Sequence, residues 1–385
     1  MIFPSTIQIS RSALKNNIRF IRDKIGYQVQ LCSVIKGNAY GHGIQSFLPL
    51  AEEAGVDYFG VFSAEEAWYA HEVRKPDTHI MIMGMIDNPE LEWAISKDIS
   101  FYVFEFDRLY AAIEYAKRLG KPAKIHLEFE TGMNRTGFSF YELDNLAELI
   151  DKEREHLSIE GFCTHYAGAE SISNYVRIKN QIHNFSTMVR NMNQKGVTSR
   201  FNHTACSAPM LNYPDTIMDM VRIGIVQYGF WPSQETYMQY VLEDAEHRRE
   251  NPLRRVITWK SKVMSIKSVS AGEFVNYGTS YQAGRNIDIA TVPVGYTHGF
   301  SRSLSNLGRV LIHGRRVPVI GVVNMNMIVV DVSSLDKVRK DDEVVVIGKQ
   351  GNNSITLSSF AELTNRLSYE SLVRLPQDLP RQIVP

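Results

Sequence analysis

Apolar positions in the first part of the chain switch repeatedly between two periods. Leu14, Ile18, Ile21 and Ile25 recur at helical spacing and predict an opening helix. Short β-branched and aromatic runs predict strands over 29–35, 58–62, 79–83, 100–104, 123–129, 159–165, 201–206 and 220–226. Helix-period stretches fall between them, over 64–73, 108–119, 143–152 and 175–194. Strands that each lead into a helix, about eight times, are the repeat of a closed parallel (β/α)8 barrel of the TIM type. An open doubly wound sheet is the competing arrangement, and the strand count favours the barrel.

The pattern changes near residue 250. The stretch 243–252 is charged and ends in Pro252, as a linker or surface loop would. Closely spaced β-rich runs follow over 256–266, 287–292, 309–312, 317–332 and 342–347, with turns at 271–273, 313–315 and 348–351. No helical pattern intervenes until 358–372. The expected architecture is therefore α/β: a (β/α)8 barrel over 1–245, then a mostly antiparallel β-domain over 246–385.

Composition narrows the function. The chain has 385 residues, more than one ordinary domain needs, and is 44% hydrophobic and 22% charged, enough to bury a core. Lys plus Arg and Asp plus Glu are 42 each, so the cationic surplus of a sequence-independent nucleic-acid binder is missing. The strongest apolar stretch, 317–332, is broken by Asn324, Asn326 and Asp331, which suits a buried strand and no membrane span. The first dozen residues lack a basic patch followed by an apolar core, so no signal peptide is expected. Cys32, Cys163 and Cys206 are odd in number and widely spaced, as thiols in a reducing compartment would be; the expected location is the cytoplasm.

Chemistry in a parallel barrel collects where strands end. Lys36 follows the apolar pair Val34–Ile35 and precedes Gly37, Asn38, Ala39, Tyr40, Gly41, His42 and Gly43. A lysine ending a buried strand loses hydration, which lowers its pKa and favours the neutral amine that forms a Schiff base. Position alone fits a surface lysine beside a glycine turn at least as well. Two later strand ends, Asn202 to Ser207 and Arg222 to Ile225, combine a hydroxyl with Gly224, whose backbone can approach an anion. The last two strands of a barrel are where a phosphate is commonly held. A lysine and a phosphate site together point to pyridoxal phosphate. Tyr277–Gly278, Gly295–Tyr296 and Tyr369–Glu370 pair tyrosine with glycine or glutamate. Spacing alone does not separate a packing role for these tyrosines from a general base.

The motifs in order resemble the alanine racemase family, from about Ile7 to about Leu375. Val34 to Gly43 (Val-Ile-Lys-Gly-Asn-Ala-Tyr-Gly-His-Gly) is similar to the family's cofactor-lysine signature, and Thr131 to Phe138 (Thr-Gly-Met-Asn-Arg-Thr-Gly-Phe) to a second one. Thr164–His165, the stretch 221–228, Tyr277–Gly278, Gly295–Tyr296 and Tyr369–Glu370 match others. The resemblance implies pyridoxal 5'-phosphate bound through Lys36, with Tyr277 of a partner subunit as the base on the opposite face of a small amino acid. Two bases are what inversion requires, because the proton leaves one side and returns on the other. The implied assembly is a homodimer sharing its sites. Arg222 is implied to face the cofactor's ring nitrogen, with His165 behind it, and Tyr40, Ser207, Gly224, Ile225 and Tyr369 to contact the phosphate. Arg135 and the Met325 backbone N–H are implied to bind the substrate carboxylate, with Tyr296 narrowing the entrance.

Three positions depart from the family pattern. Glu128 stands where many relatives have a lysine, carbamylated in some, and could supply that negative charge beside Arg135 without modification. His298 and Asn326 each replace an aspartate near the substrate entrance, which makes alanine specificity less secure. Racemisation of L- and D-alanine is the function implied, a racemase of other or broader amino-acid range the alternative. A decarboxylase would place a carboxylate rather than Arg222 at the ring nitrogen, and a non-enzymatic cofactor carrier would lack the β-domain.

Overall fold

The computed structural model describes residues 3–243, 250–364 and 368–385. Nine strands occupy the first part: β1 (Ser5–Ser10), β2 (Gln30–Val34), β3 (Tyr58–Val61), β4 (His79–Ile82), β5 (Ser100–Val103), β6 (Ala123–Glu128), β7 (Leu157–Cys163), β8 (Phe201–His203) and β9 (Met220–Ile223). The eight from β2 to β9 form one sheet in the order β8-β7-β6-β5-β4-β3-β2-β9. Every neighbouring pair is parallel, including β2 with β9. The Arg222 N–H donates to the Ala205 carbonyl at 2.9 Å, bringing β9 against the exit of β8 and closing the sheet into the expected barrel. Strands β3, β5 and β9 are buried along their whole length. Burial on both faces explains why β3 and β5 carry apolar residues in succession rather than in alternation, and it sets Arg222 of β9 in a dry surrounding.

Helices cover the outside. Ala64–Val73 is capped by Ser63, whose hydroxyl accepts the Glu66 N–H, and it turns Ala64, Ala67 and Ala70 inward. Phe106–Leu119 buries Leu109, Ala112, Ile113 and Ala116 and stops at Gly120, whose φ of 60° is left-handed. The expected helices 64–73, 143–152 and 175–194 agree with the observed Ala64–Val73, Leu143–Lys152 and Tyr175–Gln194. Further helices at Ile44–Glu53, Asn88–Ser96, Ser207–Asn212 and Gln234–Leu242 were not expected.

The β-rich part contains β10 (Ile257–Lys262), β11 (Ser265–Val269), β12 (Ile287–Val292), β13 (Arg309–Ile312), β14 (Arg315–Pro318), β15 (Ile328–Asp331), β16 (Glu343–Gln350), β17 (Asn353–Ile355) and β18 (Arg381–Val384). One sheet runs β14-β13-β16-β10-β1-β18, with β17 on β16, and a second runs β11-β12-β15. All pairs are antiparallel except β1 with β18. The runs 256–266 and 317–332, expected as continuous, each divide into two strands belonging to different sheets. The expected helix 358–372 is observed as Leu357–Thr364 and Ser368–Val373, and its residues 365–367 lie outside the described ones.

The compact units are not consecutive in sequence. One comprises Ala13–Gly37 with Leu48–Arg254, the other Met1–Ser12 and Asn38–Phe47 with Arg255–Pro385. A division into 1–245 and 246–385 would leave β1 with the barrel. Instead β1 pairs with β10 and β18, because its alternating buried face suits a sheet with one dry side. Ser5 is fixed there by the indole N–H of buried Trp259, which donates to its hydroxyl at 2.6 Å.

Candidate active site

Lys36 stands at the exit of β2, and the residues after it turn the wrong way. Gly37, Asn38, Ala39, Tyr40 and Gly41 have φ of 64°, 53°, 54°, 51° and 78°, one left-handed turn. For side chains with a Cβ this costs roughly 1–2 kcal/mol each. Local bonds hold it: the Asn38 side chain accepts the Ile44 N–H at 2.9 Å, and the His42 ring meets the Ala39 and Tyr40 carbonyls at 3.0 Å each. At Gly41 a Cβ would run into the Leu372 carbonyl, so glycine is required. The Glu66 carboxylate accepts the Gly37 N–H at 2.6 Å and the Phe62 N–H at 2.8 Å, joining the exits of β2 and β3.

The Lys36 side chain is exposed, yet its amine is pushed below the usual lysine range. Loss of hydration is the largest cause; Arg135 and Arg222 act the same way, while Cys206 and Glu66 oppose them. Exposure argues for a small desolvation effect, but the two guanidinium charges work in the same direction, and that direction stands.

Arg222 is buried on β9. Nη1 donates to the Tyr102 hydroxyl at 2.9 Å, and Nη2 to the Thr164 carbonyl at 2.6 Å and the Thr204 carbonyl at 3.0 Å. Its Nε is buried without a hydrogen-bond partner. An orphaned buried donor costs about 1–3 kcal/mol and so points to an acceptor. These acceptors are neutral oxygens, which leave the guanidinium its charge. Beneath it, His126 Nδ1 and His203 Nε2 stand 2.9 Å apart, and His126 Nε2 is 3.1 Å from the Tyr58 hydroxyl. The side chains of Cys32, Tyr58, Met81, Tyr102, Cys163 and Met220 fill the space around these groups.

The two strand ends expected to hold a phosphate are neighbours. Ser207, buried at the start of Ser207–Asn212, accepts the Gly224 N–H at 3.2 Å, and Ile225 is buried beside it. His165 follows Thr164, whose carbonyl takes Arg222, so the link between His165 and Arg222 runs through the backbone. Burial pushes the His165 pKa down to about 3, with Arg222, Arg135 and Lys36 adding to it.

Arg135 lies on the turn after β6. Glu130 shapes that turn: its Oε1 accepts the Gly132 N–H at 2.5 Å, and its Oε2 accepts the Asn134 and Arg135 N–H groups at 2.8 and 3.2 Å. Glu128, buried at the end of β6, accepts from the Thr136 hydroxyl at 2.8 Å. Its Oε1 is 3.9 Å from Arg135 Nη2, an ion pair rather than a direct hydrogen bond.

The other unit carries the remaining expected residues. The Tyr40 and Tyr369 rings lie 6.0 Å apart. Tyr277 is 73% exposed on a turn set by Asn276, whose φ is 70°. Asn276 donates to the Val322 carbonyl at 2.8 Å and accepts from Asn324 at 2.9 Å, tying the tyrosine's turn to the Met325 loop. The Tyr296 and Thr297 N–H groups donate to the Asn324 and Met325 carbonyls at 3.0 and 3.1 Å, so three loops are stitched together. A Cβ at Gly295 would strike both carbonyls. His298 Nδ1 accepts the Gly295 N–H at 3.1 Å, and Asn326 donates to the Thr297 hydroxyl at 3.0 Å. The two departures from aspartate are thus built into the loop contacts.

Sequence reasoning missed Glu66, Tyr102, His126, Glu130 and Gln181, and it quoted Thr136 and His203 inside longer stretches without giving either a role. Glu130 adjoins the Thr131 motif and could have been suspected; the barrel-floor residues carried no local signal.

A barrel with a lysine at one strand end, and with a buried arginine and a Ser–Gly pair at its last two strand ends, offers the groups that a pyridoxal-phosphate enzyme of the barrel type needs. Comparison with known proteins agrees. The family model for the alanine racemase N-terminal domain matches residues 9–232, and that for the C-terminal domain matches 256–383. An alanine racemase of Leptospira interrogans is 33% identical over 99% of this chain and 96% of its own length. One of Symbiobacterium thermophilum is 34% identical over 98% and 96%. The solved alanine racemase of Clostridium difficile 630 superposes with a TM-score of 0.90 at 28% identity, covering 100% of this chain and 96% of that one. The chain belongs to the alanine racemase family, and it is accordingly an isomerase, an amino-acid racemase dependent on pyridoxal 5'-phosphate.

Proposed function

We propose that the protein interconverts L- and D-alanine by a two-base mechanism in which Lys36 and Tyr277 move the α-proton on opposite faces. The observation that carries this reading is the buried, partnerless Nε of Arg222 on β9, the strand paired with the one whose exit bears Lys36. Bound pyridoxal 5'-phosphate supplies an electron sink that makes the α-proton of an attached amino acid labile. Lys36 would hold it through its amine, which the lowered pKa keeps available in neutral form. Arg222 Nε would donate to the ring nitrogen. Being a guanidinium, it keeps its own proton, so the sink stays weak and side reactions are held back. Ser207, Gly224 and Ile225 would take the phosphate. Tyr40 and Tyr369 are assigned to it by their motifs alone, as is His165 to the support of Arg222.

Arg135, with Glu128 as its counter-charge, would bind the substrate carboxylate. The Met325 backbone N–H would assist, and Tyr296 would narrow the entrance; these two, like Tyr277, are assigned by motif. In this reading Tyr277 acts from the partner subunit of a homodimer, and its exposure suits a residue that works outside its own fold. We place the enzyme in the cytoplasm, in keeping with three free cysteines. Among the described residues no helix is long and apolar enough to cross a membrane.

Incubation of the pure holoenzyme with single L-amino acids in deuterated water tests the reading. Racemisation puts α-deuterium into both enantiomers of alanine. Amine and carbon dioxide would mark a decarboxylase, and no exchange a carrier. D-enantiomers formed fastest from another amino acid would move the specificity away from alanine.

A further inference from the structure

The two arginines assigned to substrate and cofactor are joined by a side chain that belongs to neither loop. Gln181 lies on the helix Tyr175–Gln194 and is 1% exposed. Its Oε1 accepts the Ala167 N–H at 2.9 Å, and its Nε2 donates to the His165 carbonyl at 3.0 Å and the Thr131 hydroxyl at 3.2 Å. The Thr131 hydroxyl is 2.8 Å from that of Thr164, which in turn donates to the Phe129 carbonyl at 2.9 Å. Thr164 is the residue whose carbonyl accepts Arg222 Nη2. One amide thus spans the exit of β7, which steadies Arg222, and the start of the turn that carries Arg135.

That turn is tied together internally. The Glu130 carboxylate gathers the N–H groups of Gly132, Asn134 and Arg135, which links the residue after Thr131 to Arg135. Asn184, one helical turn on from Gln181, donates to the Thr131 carbonyl at 2.9 Å, a hydrogen bond to the turn itself. Gly132, with a φ of 132°, leaves room for Gln181: a Cβ there would stand 3.3 Å from its Cγ.

We propose that Gln181 is a positioning residue that couples the two arginines, so that losing its amide disturbs substrate-carboxylate binding and cofactor binding together. The proposal rests on the function proposed above and on its roles for Arg135 and Arg222; wild-type racemisation tests that function independently.

The test compares Gln181→Met, which keeps the length and drops the hydrogen bonds, with Asn184→Ala, which loosens the turn alone. KM for alanine and kcat are measured on the holoenzymes, and the dissociation constant of pyridoxal phosphate on the apoproteins by absorbance titration. Gln181→Met should raise KM and the cofactor constant together, each roughly five- to tenfold for the loss of one or two buried hydrogen bonds. Asn184→Ala should raise KM while leaving the cofactor constant within about twofold of wild type. Thr131→Val removes the hydroxyl between Gln181 and Thr164 and should give the Gln181→Met signature in weaker form; it stands in should Gln181→Met fail to fold. A folded Gln181→Met, or Thr131→Val in its place, with both constants unchanged overturns the proposal. So does an Asn184→Ala variant that moves both constants equally.

Discussion

The Glu128 carboxylate accepts the Thr136 hydroxyl at 2.8 Å, and that bond fixes which way the carboxylate faces. Its other oxygen is left 3.9 Å from Arg135 Nη2, with the arginine more than half exposed and the glutamate buried. Burial pushes the Glu128 pKa up, while Thr136 and then Arg135 pull it down. The charge therefore acts on Arg135 through space, and Thr136 holds it in position.

It follows that activity should not depend on bicarbonate, since no lysine carbamate is needed. Glu128→Gln keeps the shape and drops the charge, and should raise KM for alanine more than the cofactor's dissociation constant. A carboxyl with a raised pKa loses its charge at higher pH than an ordinary one, so wild-type KM should begin to rise on mild acidification and the Gln variant should lack that limb. Steady-state kinetics across pH check this. Activity that falls on removing carbon dioxide, or a Gln variant with wild-type constants, contradicts the role.

Lys36 should carry the cofactor. The holoenzyme is expected to be yellow, and borohydride should fix pyridoxal phosphate to Lys36 when peptides are mapped. Lys36→Ala should leave no covalent adduct. An adduct on another lysine would move the site.

Much of this was legible in the sequence, for physical reasons that differ from element to element. Strands β3 and β5 are buried on both faces and show apolar residues in succession, Tyr58–Phe59 and Phe101 to Val103. Lys36, Arg222 and Ser207 sit where barrel strands end, a place that order along the chain already marks. The strand Ser5–Ser10 was missed because its partners, Ile257–Lys262 and Arg381–Val384, lie at the far end of the sequence and leave no local trace. The run 317–332 was misjudged because two apolar strands in different sheets look like one. The barrel-floor groups Tyr102, His126 and His203 are single polar residues inside strands, and only closure of the barrel brings them under Arg222. Gln181 is the same case on a helix.

Those buried histidines also set an acid limit. Burial holds His42 down to about 4 and His126 down to about 3, and His203 lies well below its usual value. The folded protein keeps them neutral, whereas the unfolded chain protonates them near pH 6.5. Stability is therefore complete above that pH and falls as pH drops below it, down to the depressed folded values, by about 1.4 kcal/mol per pH unit for each histidine. Thermal melts of the apoprotein between pH 7.5 and 5, all values on the order of the histidine range, should show a steep fall. A flat profile would mean that the three are not buried neutral.

The central claim is that two groups act on opposite faces, and the Tyr277→Phe holoenzyme in deuterated water examines it most directly. The ring remains and only the proton-carrying oxygen is gone. Lys36 can still exchange the α-proton on its own face. The predicted result is deuterium entering one enantiomer of alanine with its configuration retained, while interconversion of the enantiomers falls steeply. Deuterium entering both enantiomers at similar rates, with racemisation close to wild type, would show that Tyr277 is not the second base.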